Sequence, residues 1–303
     1  MPDAPGVAWI DGRVLPLAEA RVPVTDRGFL FADSVFDTIR TYSGRPFLLG
    51  DHLDRLRRSA DALTLPVPWS DAFLTDAIDS TLVARRFAGD AAIRVMVTRG
   101  EGGSGLAFPE PTVPRLVILC RPAPAMSEDA RAHGVSLARP DRSHAKARTV
   151  PGHVKSGAYL PNVLALREGR SQGGFEALLV GDDGSWSEAT TSNLFAVLDG
   201  QIVTPGEAAG ILPGITRALV LAVARSRGLT VTVRSLWDVD LDGADELLVT
   251  SSIKEVLPAV LLDGQPVGRG EAGPVTRTLQ RGFRDAVEAL GAHGARRMVE
   301  LFP

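Results

Sequence analysis

Only one cysteine stands among the 303 residues, Cys120 in the apolar run RLVILC. No internal disulfide can staple such a chain, and the thiol reads as a buried structural one in a reducing compartment. Lysine is nearly as scarce: of 33 basic residues, three are lysine, namely Lys146, Lys155 and Lys254. Neither sign of charge dominates. The formal net charge is -3, with a pI near 6.0, which leaves no electrostatic footprint for nucleic acid or an anionic membrane. No apolar run approaches the length of a bilayer span, and MPDAPGVAWIDGR has neither the basic start nor the apolar segment of a secretory signal. The expectation is a cytoplasmic protein with small-molecule partners, without nucleic acid, membrane or metal.

What is present is a chain with 45% hydrophobic residues, 31 Gly and 21 Pro, enough for one large or two medium cores built from short elements and many turns. RPAPAM, at 121–126, is stiffened by proline and has little to pack. It predicts a domain over 1–121, a linker over 122–126 and a second domain over 127–303. In the first part GVAWIDGRVLP predicts a hairpin turning at Asp11-Gly12, and SVFDTIRTYSGRPFLL a second at Ser43-Gly44. GDHLDRLRRSADAL has helical spacing with Asp51 as its expected cap, and AAIRVMVTRG and RLVILCRP read as strands. In the second part GVSLARP, FEALLVGDDGSWSEAT, NLFAVLDGQIVTP, TVTVRSL and ELLVTSS read as strands. LPNVLALREGRSQ and PGITRALVLAVARSRG read as helices, with Pro161 in the first turn of one and Gly228 ending the other.

Four places carry chemistry. Lys155 precedes a helix in a chain that otherwise prefers arginine, and only lysine can lose its proton on partial burial and act as a nucleophile. Gly214, Ile215 and Thr216 open a helix, where backbone N–H groups favour an anion. Thr250, Ser251 and Ser252 end a strand with hydroxyls that can wrap phosphate oxygens. Glu188 lies between two apolar strands, where a carboxylate could face a cation. Each has a plain alternative: a solvated lysine, a helix start after a Pro-Gly turn, an ordinary turn, a solvent-facing hairpin residue. Together they offer the amine, the phosphate seat and the carboxylate that pyridoxal phosphate requires.

The order HLDRL, VKSGAYLPNVLALREG, SEATTSN, GILPGITR and ADELLVTSSIKEVLPAVLLDGQPVGRGEAGPVT resembles the class IV, or fold-type IV, aminotransferases dependent on pyridoxal 5'-phosphate, over about residues 7 to 285. The resemblance implies an α/β (α+β) fold of two domains, a smaller N-terminal α/β domain and a larger barrel-like β domain with helices. It also implies a homodimer with the cofactor in the cleft. Lys155 matches the lysine that forms the internal aldimine and then moves the substrate proton, and Glu188 the carboxylate that pairs with the pyridine nitrogen. Arg55 matches the phosphate-binding arginine, joined by Ile215 and Thr216 at the helix start and by Ser251 and Ser252 in the second turn. Leu212 matches the leucine on the ring face, and Tyr159 a tyrosine near the phenolic oxygen. Ala158 stands where many members have asparagine, and Ala189 where glycine is usual.

For the substrate, Phe36 and Arg40 in FADSVFDTIRTY are similar to branched-chain enzymes, whereas Thr38 resembles the 4-amino-4-deoxychorismate lyases. The Arg-x-His pair of D-amino acid aminotransferases is replaced by Ser104 and Leu106, and an apolar loop suits an apolar side chain. The expectation is transfer of an amino group from a hydrophobic, branched-chain-like amino acid to 2-oxoglutarate, the carboxylate held by the Ser252-Ile253 turn with Arg40 beside it. A lyase, or a D-amino acid or (R)-amine transaminase, is the alternative. Lys254 is expected to face solvent, with binding of an acidic group as the alternative, and Lys146 to sit on an exposed loop.

Overall fold

The computed structural model describes residues 6–102, 105–142, 150–293 and 296–300. The first of two sheets contains β1 (Val7–Ile10), β2 (Arg13–Pro16), β3 (Ser34–Tyr42), β4 (Arg45–Pro46), β5 (Ala91–Thr98) and β6 (Arg115–Pro122), in the order β2-β1-β6-β5-β3-β4. Both expected hairpins form. Asp11 and Gly12 have φ of 50° and 83°, Ser43 and Gly44 of 51° and 77°, the left-handed pairs that a two-residue turn between twisted strands demands.

Helices α1 (Arg27–Phe31), α2 (Leu49–Ala62) and α3 (Asp71–Val83) belong to this half. Leu53, Leu56 and Ala60 of α2 and Leu74, Ile78 and Leu82 of α3 share a core with Ile39, Ile93, Val95 and Ile118 of the sheet. Each fully buried leucine or isoleucine contributes about 1.5–3 kcal/mol. The period of two along β3 and β5 turns Val35, Ile39, Ile93 and Val95 to that core. It leaves Phe36, Thr38, Arg40 and Arg94 for the opposite face, with Thr38 directly across from Arg94. Leu48, at φ 50°, precedes α2, so Asp51 is not its cap. The Asp51 carboxylate instead accepts the Met298 N–H at 2.8 Å, fastening 296–300 to the helix.

The first sheet ends at Pro122, and α4 (Glu128–His133) begins behind a Ser127 cap. The second sheet contains β7 (Val135–Ala138), β8 (Glu176–Val180), β9 (Trp186–Ala189), β10 (Ser192–Leu198), β11 (Gln201–Thr204), β12 (Val231–Val233), β13 (Glu246–Ser251), β14 (Glu255–Leu262) and β15 (Gln265–Pro266). Because β9 pairs with β8 on one side and β10 on the other, the path β10-β13-β14-β7-β8-β9 returns to its start and six strands close into a barrel. Closure removes the edges such short strands would expose. Leu137, Leu178, Trp186, Leu194, Val249 and Leu257 share one core there. Among the described residues, α5 (Leu160–Ser171), α6 (Ile215–Ser226), α7 (Asp238–Asp242) and α8 (Pro274–His293) come after α4. Leu219 and Val220 of α6 and Leu279 and Phe283 of α8 pack with Phe195 and Leu248 of the barrel. Helices α1, α3, α4, α7 and α8 and strands β14 and β15 go beyond the sequence reading. Among the described residues no helix is long and apolar enough to cross a membrane.

Candidate active site

A cavity of about 440 Å³ is lined from both sheets. Lys155 enters it from the segment before α5. The backbone there is stitched to the first sheet: Lys155 O accepts the Phe36 N–H at 2.9 Å, and the Gly157 N–H donates to Ser34 O at 2.8 Å. The Lys155 N–H donates to Ser59 Oγ of α2 at 3.1 Å. So close is the strand that a Cβ on Gly157 would lie 2.2 Å from Ser34 Oγ, which glycine alone avoids. The backbone that carries the lysine is thereby fixed. Its Nζ lies 3.4 Å from the Tyr159 hydroxyl and 4.9 Å from the Phe36 ring centroid, and those rings meet edge to face at 5.1 Å.

Glu188, on β9, is buried rather than solvent-facing. Its Oε2 accepts the Leu212 N–H at 3.0 Å and Asn193 Nδ2 at 3.2 Å, and the same Nδ2 donates to Leu212 O at 2.9 Å. Gly214 must be glycine, since a Cβ there would lie 1.9 Å from Asn193 Oδ1. Gly214 also precedes α6 with no side-chain cap. The helix start therefore presents its backbone, with Ile215 and Thr216, to the cavity.

Arg55 stands on the core side of the first sheet. Its Nε and Nη2 donate to Asp37 Oδ2 and Oδ1 at 2.8 and 2.7 Å, and its Nη1 to Pro213 O at 3.1 Å. His52 Nδ1 lies 2.7 Å from the same Asp37 Oδ1. Burial alone would raise the Asp37 pKa, but Arg55 and His52 hold it far below the ordinary carboxylate value. Burial lowers the His52 pKa, so the imidazole is neutral and the ion pair belongs to Arg55.

All the expected cofactor contacts, together with Phe36, Thr38 and Ile253, line this one cavity. Arg40 does not. It donates to Ile253 O at 2.9 Å, lies 3.6 Å from Glu255 and packs over Tyr42, captured by a carbonyl and a carboxylate behind the turn. Leu106 is 82% exposed. Its loop is held by Arg27, which donates to the carbonyls of Gly105, Ala107 and Leu106 at 2.9, 3.2 and 3.3 Å, beside a smaller cavity that shares Val150, Ser156 and Ala158 with the main one. Ser104 and Lys146 lie outside the described residues.

Lys254 is a correction. Its ammonium does not face solvent but meets Glu176, with the side chain 15% exposed. Burial and nearby Arg170 push the amine down to about 8, while contact with a carboxylate pulls the other way; either way it is charged at neutral pH.

Four residues were missed by the sequence reading. Asp37 and Asn193 orient Arg55 and Glu188, and Glu176 receives Lys254. Arg94 lines the cavity with its guanidinium 3.6 Å from the Phe36 ring centroid, and its Nε is buried without a hydrogen-bond partner. The signal for Arg94 was a charge alternating with apolar residues in AAIRVMV. That for Asp37 was its place, on a strand, facing a His-x-x-Arg spacing on a helix. Ala189 is in regular strand pairing with Ser192 and Leu178. Among the described residues no cluster of His, Cys, Asp or Glu could hold a metal.

An amine beside two aromatic rings, a buried carboxylate and a helix start beside an arginine can bond an aldehyde, face a protonated ring nitrogen and seat a phosphate. Comparison with known proteins agrees with that chemistry. The family described as amino-transferase class IV matches residues 34–262. A putative branched-chain-amino-acid aminotransferase of Methanocaldococcus jannaschii is 35% identical over 91% of this chain and 95% of its own. The D-alanine aminotransferase of Bacillus licheniformis is 30% identical over 91% and 95%. Among solved structures, the Escherichia coli branched-chain amino acid aminotransferase superposes with a TM-score of 0.86 at 29% identity, over 93% of this chain and 94% of that one. The Thermobaculum terrenum enzyme in its pyridoxal-phosphate form gives 0.83 at 27%, over 94% and 95%. The chain belongs to the class IV aminotransferases and is a pyridoxal-phosphate-dependent enzyme.

Proposed function

We propose that this aminotransferase moves the amino group of a hydrophobic, branched-chain-like amino acid to 2-oxoglutarate. The observation that carries the reading is the corner formed by Phe36, Tyr159 and Arg94. An aliphatic side chain would pack against the two rings, whereas the second carboxylate of 2-oxoglutarate, placed in the same space, would meet Arg94, whose Nε has no partner and whose pKa is lowered by burial. One pocket then takes an apolar chain in one half-reaction and an acidic one in the next, as exchange through a single site requires.

The residues fit the cofactor. The uncapped helix start at Gly214, Thr216 and the Ser251-Ser252 turn supply donors for a phosphate, and Arg55, braced by Asp37, adds a charge beside them. Pyridoxal phosphate, when bound, supplies the electron sink for the charge left at the substrate Cα. Glu188, aimed by Asn193 and the Leu212 N–H, holds the proton on the ring nitrogen, and Leu212 covers the ring. Lys155 takes the proton from the substrate Cα and would deliver it to C4′ of the cofactor, its amine kept in place by Tyr159. Ser252 and Ile253 hold the α-carboxylate, and Thr38 lies on the substrate side.

The exposed apolar side chains of α1 and of the loop it holds, Phe29, Leu30, Leu106 and Phe108 among them, support a homodimer in which a second copy covers this face. A single buried free cysteine supports the cytoplasm as its compartment. The test is a half-reaction screen of the cofactor-loaded protein, following the visible absorption band. L-leucine, L-isoleucine and L-valine should bleach it and 2-oxoglutarate restore it. Silence from all three L-amino acids overturns the substrate reading. A response to D-alanine or (R)-1-phenylethylamine alone would put the enzyme with the alternative transaminases, and pyruvate released from aminodeoxychorismate without an acceptor would make it a lyase.

A further inference from the structure

Lys254 crosses between two turns. Its backbone N–H donates to Ser251 Oγ at 3.2 Å, closing the turn between β13 and β14. Its side chain leaves that turn for the one between β9 and β10, where the ammonium contacts Glu176, Thr191 Oγ1 and Ser192 Oγ. Glu176 is 2% exposed. Its other donors all come from that second turn: Thr190 Oγ1 at 2.8 Å, Thr191 N and Oγ1 at 3.0 and 2.7 Å, and Ser192 Oγ at 2.8 Å. One carboxylate thus organises a whole turn, and Lys254 fastens the other turn to it.

Both turns line the cavity. The first is pinned at two successive residues, since Arg40 of β3 holds Ile253 O at 2.9 Å and Glu176 holds Lys254. Ser252 and Ile253 lie between Ser251 and Lys254 in the turn so constrained. Three acceptor oxygens surround the amine, matching the three diverging N–H bonds of an ammonium rather than the planar fork of a guanidinium. That accounts for a second lysine in a chain that elsewhere uses arginine.

We propose that Lys254 is a positioning residue that determines affinity for the substrate carboxylate. By setting the spacing of the two turns, the Lys254–Glu176 pair keeps Ser252 and Ile253 as a preformed seat, so that binding does not have to order them. This rests on the reading of that turn as the carboxylate seat.

The test uses the cofactor-loaded enzyme and a carboxylate that cannot react, 4-methylpentanoate, with binding read by calorimetry and folding by thermal denaturation. Lys254→Met is expected to weaken binding about tenfold. Because it strands the Glu176 charge, it also lowers Tm. The double variant Lys254→Met with Glu176→Gln removes both charges and is expected to recover most of the Tm while binding as weakly as the single variant. Recovery of binding in the double variant, or wild-type binding in the single one, overturns the proposal by reducing Lys254 to a counter-charge. Failure of the wild-type enzyme to bind the probe at all overturns the carboxylate-seat reading and the proposal with it.

Discussion

Arg55 and Asp37 meet side by side, two parallel N–H···O bonds of 2.8 and 2.7 Å, with Asp37 1% exposed. A pair so buried stands or falls together, because an unpaired charge there has no water to turn to.

Asp37→Asn should therefore cost about 3–5 kcal/mol in urea denaturation at pH 7, and weaken cofactor binding by freeing Arg55. Asp37 titrates lower in the folded chain than in the unfolded one, so its contribution is complete above the unfolded pKa of about 3.9 and fades as pH falls through the lower folded value. The gap between wild type and D37N should narrow below about pH 4. A gap unchanged down to pH 2 would contradict the pairing.

Lys155→Ala should abolish the donor-induced change of the visible band and lower turnover by roughly 10²–10⁴-fold, the range of a lost proton-transfer group. Tm should stay near that of the wild type, because the amine itself lines a cavity. Full turnover in K155A would remove the basis of the proposed mechanism.

Arg94→Gln should raise KM for 2-oxoglutarate by about 10–100-fold, as expected for one charge-assisted hydrogen bond. KM for a monocarboxylic 2-oxo acid such as 4-methyl-2-oxopentanoate should hardly move. Equal losses for both acceptors would place Arg94 outside the acceptor pocket.

Cys120 is fully buried and its thiol is pushed up to about 11 by burial, so the native protein should resist thiol reagents at pH 8 and react only on unfolding. Prompt labelling of the folded enzyme would refute the burial.

Where local letters decide structure, the sequence was legible. Asp11-Gly12 and Ser43-Gly44 demand left-handed turns, and residue type singled out Lys155, Glu188 and Gly214, which line one cavity. Arg40 stands beside the Ser252-Ile253 turn but off the cavity, because a strand's alternation gives the face of a side chain but not its reach, and Glu255 with the Ile253 carbonyl holds it there. Lys254 was misread for a related reason: Glu176 lies 78 positions away, and no local rule joins them. Asp51 has the chemistry of a cap, but its carboxylate is drawn to Met298 near the other end of the chain. Helix α8 had a legible stripe, Val275, Leu279 and Phe283 at spacings of four, which the glycines and proline before it obscured.

Strand β9 is held on both sides, Glu188 lying across from Leu179 on one neighbour and Asn193 on the other. A slip of one residue would exchange Glu188 for Ser187 or Ala189 and turn the carboxylate to the opposite face. On the proposed reading, the ring chemistry is thus frozen into the weave of the barrel, open to change only by replacing residue 188 itself. Among the described residues, the loop around Leu106 is held by a side chain, Arg27, and not by strand pairing. New substrates can be tried there in the course of evolution without disturbing the reaction they enter.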